Sequence, residues 1–227
     1  INISKQGINK RINDKTVTFL KLILKDLLKV KLEKITSVFS SIIITDATSF
    51  ELPVCLTQEY AGFGGNHGAR AGVKIQHQFS ITDGKSGVQV VSATKSDFKT
   101  TLIRPKKNEL HLFDLGYFEF PRFNEFEQKQ AFYLCRLKLN TVVWVKENED
   151  WKILDWVELN RKTHAHQVME LEVYLGKKRE IKTRLFVHKV SPEVAARKRK
   201  ERKRYCQRHG NVPSKKRLAL CDLSIHI

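Results

Sequence analysis

The sequence has little of what usually identifies a small domain. Among its 227 residues there is one Met, five Pro and four Cys. The cysteines (Cys55, Cys135, Cys206, Cys221) are widely spaced and form no C-x-x-C pair. That spacing argues against a zinc ribbon and a disulfide framework, so reduced thiols are expected. No stretch reaches the roughly 18 to 20 apolar residues of a membrane span. Acids are scarce: 24 Asp+Glu stand against 42 Lys+Arg, a formal charge of +18. Such an excess calls for a polyanionic partner, because neutralising phosphates releases counterions. Nucleic acid fits first and an anionic membrane surface second. No internal repeat and no signal peptide are evident. The chain starts Ile1-Asn2-Ile3 and stops at Ser224-Ile225-His226-Ile227 inside an expected strand, so both ends read as cuts.

The positive charge is concentrated. Between Lys177 and Arg217 there are 17 Lys+Arg and 3 Glu. Ser191-Pro192-Glu193 starts a helix, with Ser as N-cap, Pro at the first helical position and an acid in the first turn. The helix is expected to run to about Gln207 and end at His209-Gly210. Arg197, Lys198, Arg199, Arg202, Lys203 and Arg204 lie on it and are the candidate nucleic-acid-binding residues. The plainer reading is a solvated helix face, but this helix lacks the Glu–Lys pairs that support ordinary surface helices.

Two aspartates follow strongly apolar runs. Ser41-Ile42-Ile43-Ile44 leads to Asp46, and Leu110-His111-Leu112-Phe113 leads to Asp114. A carboxylate beside a buried strand is costly unless something stabilises it, and a cation is one solution. Ser40 to Asp46 predicts a strand. Val73 to Ile81 alternates and returns, through Asp83-Gly84 and Ser86-Gly87, as Val88 to Ala93. A part-helical link over 97–107 precedes the strand ending at Asp114. A helix over 121–130 and a strand over 131–137 follow. This order resembles the RNase H-like fold, an α/β mixed sheet with flanking helices, in which Asp46 and Asp114 would end adjacent parallel strands. Before it, Asp14 to Glu33 predicts a helix with Leu20, Ile23, Leu24, Leu27 and Leu28 on one face, read as core packing or else as DNA contact. After it, four strands are expected between Thr141 and Val190 (142–145, 151–157, 168–175 and 181–187), and another from Leu218. The resulting division is 1–38 (N-terminal helical segment), 39–140 (core), 141–190 (β-rich insertion) and 191–227 (basic helix and start of a strand).

Paired strand-end carboxylates suit Mg²⁺ or Mn²⁺, which prefer oxygen ligands and assist in-line phosphoryl displacement. Taken alone, each Asp reads as an ordinary strand-end or turn residue; it is the two in matching strand contexts that point to a metal. Asp97 is a third acid nearby, or a helix N-cap. His164 and His166 are metal ligands or a solvated turn. Trp144, Trp151 and Trp156 stack on bases or fill the core. The glycine-rich stretch 57–71 approaches phosphates or is a plain loop, and it matches no phosphate-loop pattern.

Several strings together carry a family resemblance: Asp46-Ala47-Thr48 with Leu52-Pro53, Gly72-Val73-Lys74-Ile75, Asp97, Leu112 to Phe118 (L-F-D-L-G-Y-F), Phe132 to Asn140, and Ser191-Pro192-Glu193. Ser4 to Gly7 and Arg11 to Asn13 also fit, so nearly the whole chain is covered. The chain resembles DDE transposases of bacterial insertion sequences, of the IS-four group. The resemblance implies a DNA transposase of the bacterial cytoplasm, nucleoid-associated. It would cleave inverted-repeat ends and join them to a target in double-stranded DNA, as a homodimer when full length. Mg²⁺ (or Mn²⁺) would be held by three acids, with Asp46 and Asp114 at the first two positions. The third belongs to a Y-x₂-R-x₃-E-x₆-K motif. Tyr133-x₂-Arg136 opens like it, but Asn140 stands in the Glu place. Tyr205-x₂-Arg208 also does, with Val212 there. The expectation is therefore a transposase truncated before its third acid, and inactive alone. The alternatives are a non-catalytic basic DNA-binding protein (a decayed transposase) and a structural RNA-binding protein.

Overall fold

The structure, a computed structural model, describes residues 4–27, 38–63, 70–99 and 101–227. Two short helices lead, α1 (Lys5–Arg11) and α2 (Asp14–Leu27). On α2, Leu20 and Ile23 are exposed, so core packing is not met at these positions. The predicted continuation to Glu33 lies outside the described residues.

Strands β1 (Ser41–Leu52), β2 (Ala71–Ser80), β3 (Ser86–Ser92), β4 (Glu109–Phe113) and β5 (Phe132–Cys135) form one sheet, in the order β3-β2-β1-β4-β5. β1, β2 and β3 pair antiparallel, and β4 and β5 join parallel. This is the predicted RNase H-like order. β1 is twice as long as a typical strand, because it runs past Asp46 to Leu52 along β2. The part-helical link expected over 97–107 is only a single 3₁₀ turn, Asp97–Lys99. Pro105 explains the extended stretch after it, since proline disfavours helix at the residue before it.

Helix α3 (Phe120–Gln128) covers one face of this sheet. Phe123 and Phe126 enter the core against Phe113, Tyr133 and the buried His111, in ring contacts of 4.6–6.0 Å. The opposite face is apolar and uncovered among the described residues: Ile44, Val88, Val90, Phe132 and Leu134 are all exposed.

A second sheet has the order β10-β9-β8-β6-β7. It contains β6 (Val143–Glu147), β7 (Asp150–Ile153), β8 (Met169–Leu175), β9 (Ile181–Lys189) and β10 (Leu223–His226). One expected strand is wrong in part: after Ile153 the chain forms α4 (Trp156–Lys162). Asp155 starts it, with its carboxylate accepting from the backbone N–H of Val157 and Glu158, while Trp156 and Leu159 are buried. The predicted basic helix is α5 (Pro192–Arg208), capped as expected by the Ser191 hydroxyl. The strand expected from Leu218 starts later. Ser214 caps α6 (Lys215–Ala219), and a 3₁₀ turn precedes β10. β10 joins the two sheets, because Cys135 and Ile227 exchange backbone hydrogen bonds of 2.9 Å.

Candidate active site

The parallel pairing of β1 with β4 runs from Ser41↔Glu109 to Thr45↔Phe113. Asp46 and Asp114 are the next residues on each chain. β4 stops there, so Asp114 is a strand-end residue as expected. Asp46 is not: β1 continues, with Asp46 opposite His77 of β2. The reason is edge pairing, since beyond Thr45 the strand keeps its β2 partner and loses β4. Alternation sets the direction of both side chains. Ile43, Thr45, His111 and Phe113 are buried, whereas Asp46 and Asp114 are exposed. Both carboxylates therefore reach solvent where the β1–β4 pairing ends, rather than being enclosed in the core.

The backbone orients each of them. Asp114 Oδ1 accepts from Gly116 N at 2.9 Å and caps the 3₁₀ turn Leu115–Tyr117. Asp46 Oδ1 accepts from Ala47 N at 2.8 Å. Tyr117 is fully buried below, and among the described residues its hydroxyl has no hydrogen-bond partner. Burial first, then the carboxylates of Asp97, Asp114 and Asp46, push its ionisation well above the usual phenol range. Three acids thus act on one phenol.

Asp97 is close by but differently engaged. A Cβ on Gly116 would lie 2.5 Å from Asp97 Oδ2 and 3.1 Å from Asp114 Oδ1, so the approach of the two acids depends on glycine there. Lys74 Nζ forms an ion pair with Asp97 Oδ1 at 2.8 Å and donates to Lys95 O at 2.6 Å. The charge of Asp97 is thereby balanced by Lys74. Asp46 and Asp114 have no ion-pair partner among the described residues. Nor do these residues hold any group of three His, Cys, Asp or Glu placed for a metal. Two open carboxylates on adjacent positions still fit a Mg²⁺-type ion, which keeps several waters and shares one or two carboxylates with substrate phosphates. Sequence reasoning missed Lys74, Gly116 and Tyr117. The adjacency of Gly116 and Tyr117 to Asp114 was the available signal, while the Lys74–Asp97 pair links β2 to the 3₁₀ turn after β3 and left none.

The six candidate basic residues do not act alike. Arg199 Nε pairs with Asp222 Oδ1 at 3.1 Å, and Lys198 Nζ donates to Leu223 O at 3.3 Å. Lys198, Arg202 and Arg204 line a cleft of about 1150 Å³ between α5, α6 and β10, joined by Arg136, Arg208 and Arg217. Arg197, Arg199 and Lys203 lie outside its lining.

The remaining candidates sort plainly. Trp156 is core, whereas Trp144 and Trp151 flank the Arg179 guanidinium at 5.5 and 4.5 Å from their ring centroids. His164 and His166 are exposed in a turn. Within the glycine-rich stretch, residues 64–69 lie outside the described residues. All four cysteines are free thiols, and no described helix is long and apolar enough to cross a membrane.

Comparison with known proteins gives the family. Residues 38–210 match the family described as Transposase DDE domain. The chain is 30% identical over 251 residues to the transposase for insertion sequence element IS231E of Bacillus thuringiensis subsp. finitimus, covering 99% of this chain and 52% of that protein. It is 29% identical to the IS231B transposase of B. thuringiensis subsp. berliner, with the same coverage. It is 27% identical to the IS1151 transposase of Clostridium perfringens, covering 84% of this chain and 46% of that protein. The chain thus spans about half the length of the curated relatives it matches.

Proposed function

Because this chain belongs to the transposase DDE domain family, we propose that it forms part of an enzyme that cleaves and rejoins DNA at insertion-sequence ends. Asp46 and Asp114 would hold the divalent cation, Mg²⁺ or Mn²⁺. What supports this reading is the parallel register Thr45↔Phe113, since the two aspartates are the next residues on each chain. A divalent cation bound there supplies charge neutralisation at a phosphodiester and an acidified water or hydroxyl. The chain's own part is orientation. The Ala47 and Gly116 amides hold one oxygen of each carboxylate. Lys74 neutralises Asp97, and the basic surface of α5 draws in the DNA phosphates.

In this reading 39–140 is the catalytic core and 141–190 an inserted β-rich unit, with 191–227 closing against both. The DNA partner would be double-stranded, at inverted-repeat ends and target, and the working form a homodimer. A third carboxylate would come from a Tyr-x₂-Arg-x₃-Glu helix elsewhere in a longer chain, laid on the open apolar face beside Asp46. A second reading, a DNA-binding protein that does not cut, is favoured by the lack of a three-acid cluster among the described residues.

The test is Mn²⁺ binding, followed by electron paramagnetic resonance, together with Mg²⁺-dependent nicking of a plasmid. Saturable Mn²⁺ binding that both Asp46→Asn and Asp114→Asn abolish, with retained DNA binding, supports the metal site. Equal Mn²⁺ binding by wild type and both variants removes it and leaves the non-catalytic reading. Strong nicking by this chain alone, lost in Asp46→Asn, would overturn the expected need for a third acid from elsewhere.

A further inference from the structure

The cleft between α5, α6 and β10 is lined by seven Lys or Arg side chains and by a single acid, Glu201. That imbalance suits a chain of phosphates. Its wall also includes Tyr205, which is 54% exposed, and an exposed tyrosine on a basic helix has no core to serve. His209, one turn on, stacks on the Tyr205 ring at 4.3 Å between centroids, with the planes inclined by 29°. The His209 ring is held by its Nδ1 against Tyr205 O at 2.8 Å. The Arg202 guanidinium lies 5.8 Å from the Tyr205 ring centroid. At its other end the cleft reaches Leu115, the residue after Asp114.

We infer that this cleft binds an unpaired strand of nucleic acid, with Tyr205 as the stacking platform for one base and Arg136, Arg202, Arg208 and Arg217 along its phosphates. The combination of aromatic and cations discriminates between forms of the partner. In a duplex each base face is covered by its neighbours, so a side chain can stack only on an unpaired or extruded base. Cations alone would serve a duplex equally well. The contact with Leu115 gives the bound strand a direction, because a phosphate chain leaving the cleft there arrives beside Asp114. The inference rests on the proposed DNA reading of the same site and names the form of DNA it takes.

The experiment is fluorescence anisotropy with the whole chain and three labelled 12-mers: a single strand, an abasic single strand of the same length, and a duplex. Wild type is expected to prefer the base-bearing strand over the abasic one by about tenfold, the order of one base–aromatic stack. Tyr205→Ala should erase that preference while leaving abasic and duplex binding unchanged, and Tyr205→Phe should keep it. Arg202→Gln combined with Arg208→Gln should weaken all three probes and flatten their salt dependence. Equal affinity of wild type for base-bearing and abasic strands would overturn the inference, as would a preference that survives Tyr205→Ala. If duplex binding and Asp46-dependent Mn²⁺ binding persist in that case, the proposed function stands without it. Failure to bind any of the three probes would overturn both.

Discussion

Replacing Lys74 by methionine isolates the electrostatic support of the carboxylate site. Lys74 has a side chain 9% exposed and lies 2.8 Å from Asp97, whose side chain is 25% exposed. Methionine fills most of the same volume, so what is lost is the charge and the hydrogen bond to Lys95 O. Stranding a buried ion-pair partner costs about 3–5 kcal/mol, and the residual hydration of Asp97 favours the lower end. For a chain of this size about 3 kcal/mol corresponds to a fall in melting temperature of roughly 6–12 °C. Asp97→Asn leaves the cation buried instead and should cost a similar amount. The double variant removes both charges and should recover much of the loss, so the singles and the double should disagree with additivity by about 1 kcal/mol or more. Urea denaturation of the four proteins at one pH measures this directly. Additive effects, or a Lys74→Met variant as stable as wild type, would refute the idea that this pair holds Asp97 in place.

Three further outcomes follow from single sites. His111 is buried, and burial holds its imidazole below the usual histidine range against the upward pull of Glu109 at 3.2 Å. Below about pH 6.5 the unfolded chain therefore takes up a proton the folded chain resists. Stability should be full above that pH and fall on acidification, by up to about 1.4 kcal/mol per pH unit; urea midpoints from pH 8 to 5 should show a shallower fall in His111→Gln. Removing the unpartnered Tyr117 hydroxyl in Tyr117→Phe should leave the melting temperature unchanged or raise it, by up to about 1 kcal/mol equivalent, since the buried oxygen gains no bond in the fold. Asp155→Ala should cost about 1 kcal/mol by uncapping α4, with Asp155→Ser recovering most of it in the same thermal melt.

Much of the candidate-site frame was legible because its determinants are local. The alternation of Val73 to Ile81, the turn at Asp83-Gly84 and the apolar runs before Asp46 and Asp114 each specify a strand from nearest neighbours. The Ser191-Pro192-Glu193 start was legible for the same reason, since a helix cap is chosen by residues within one turn. The errors fell where a distant partner decides. The last part of the strand expected over 151–157 became the start of α4, where Trp156 found the core. Asp46 was expected at a strand end, and only β2 carries β1 on to Leu52. The basic helix was read as one face, yet Asp222 and Leu223, from the far end of the chain, occupy Arg199 and Lys198.

By itself the sequence determined that the chain is a strongly basic α/β protein with two aspartates behind apolar strands. Composition, charge and short-range periodicity survive without knowledge of neighbours. Tertiary structure alone decided that strand register pairs Thr45 with Phe113, the residues just before those aspartates, that Lys74 takes Asp97 out of the open set, and that Arg136 and Tyr205 share one cleft. The physical reason is that pairing register, ion pairs and cleft walls are interactions between segments far apart in the chain. Their free energy appears only when the hydrophobic core brings those segments together.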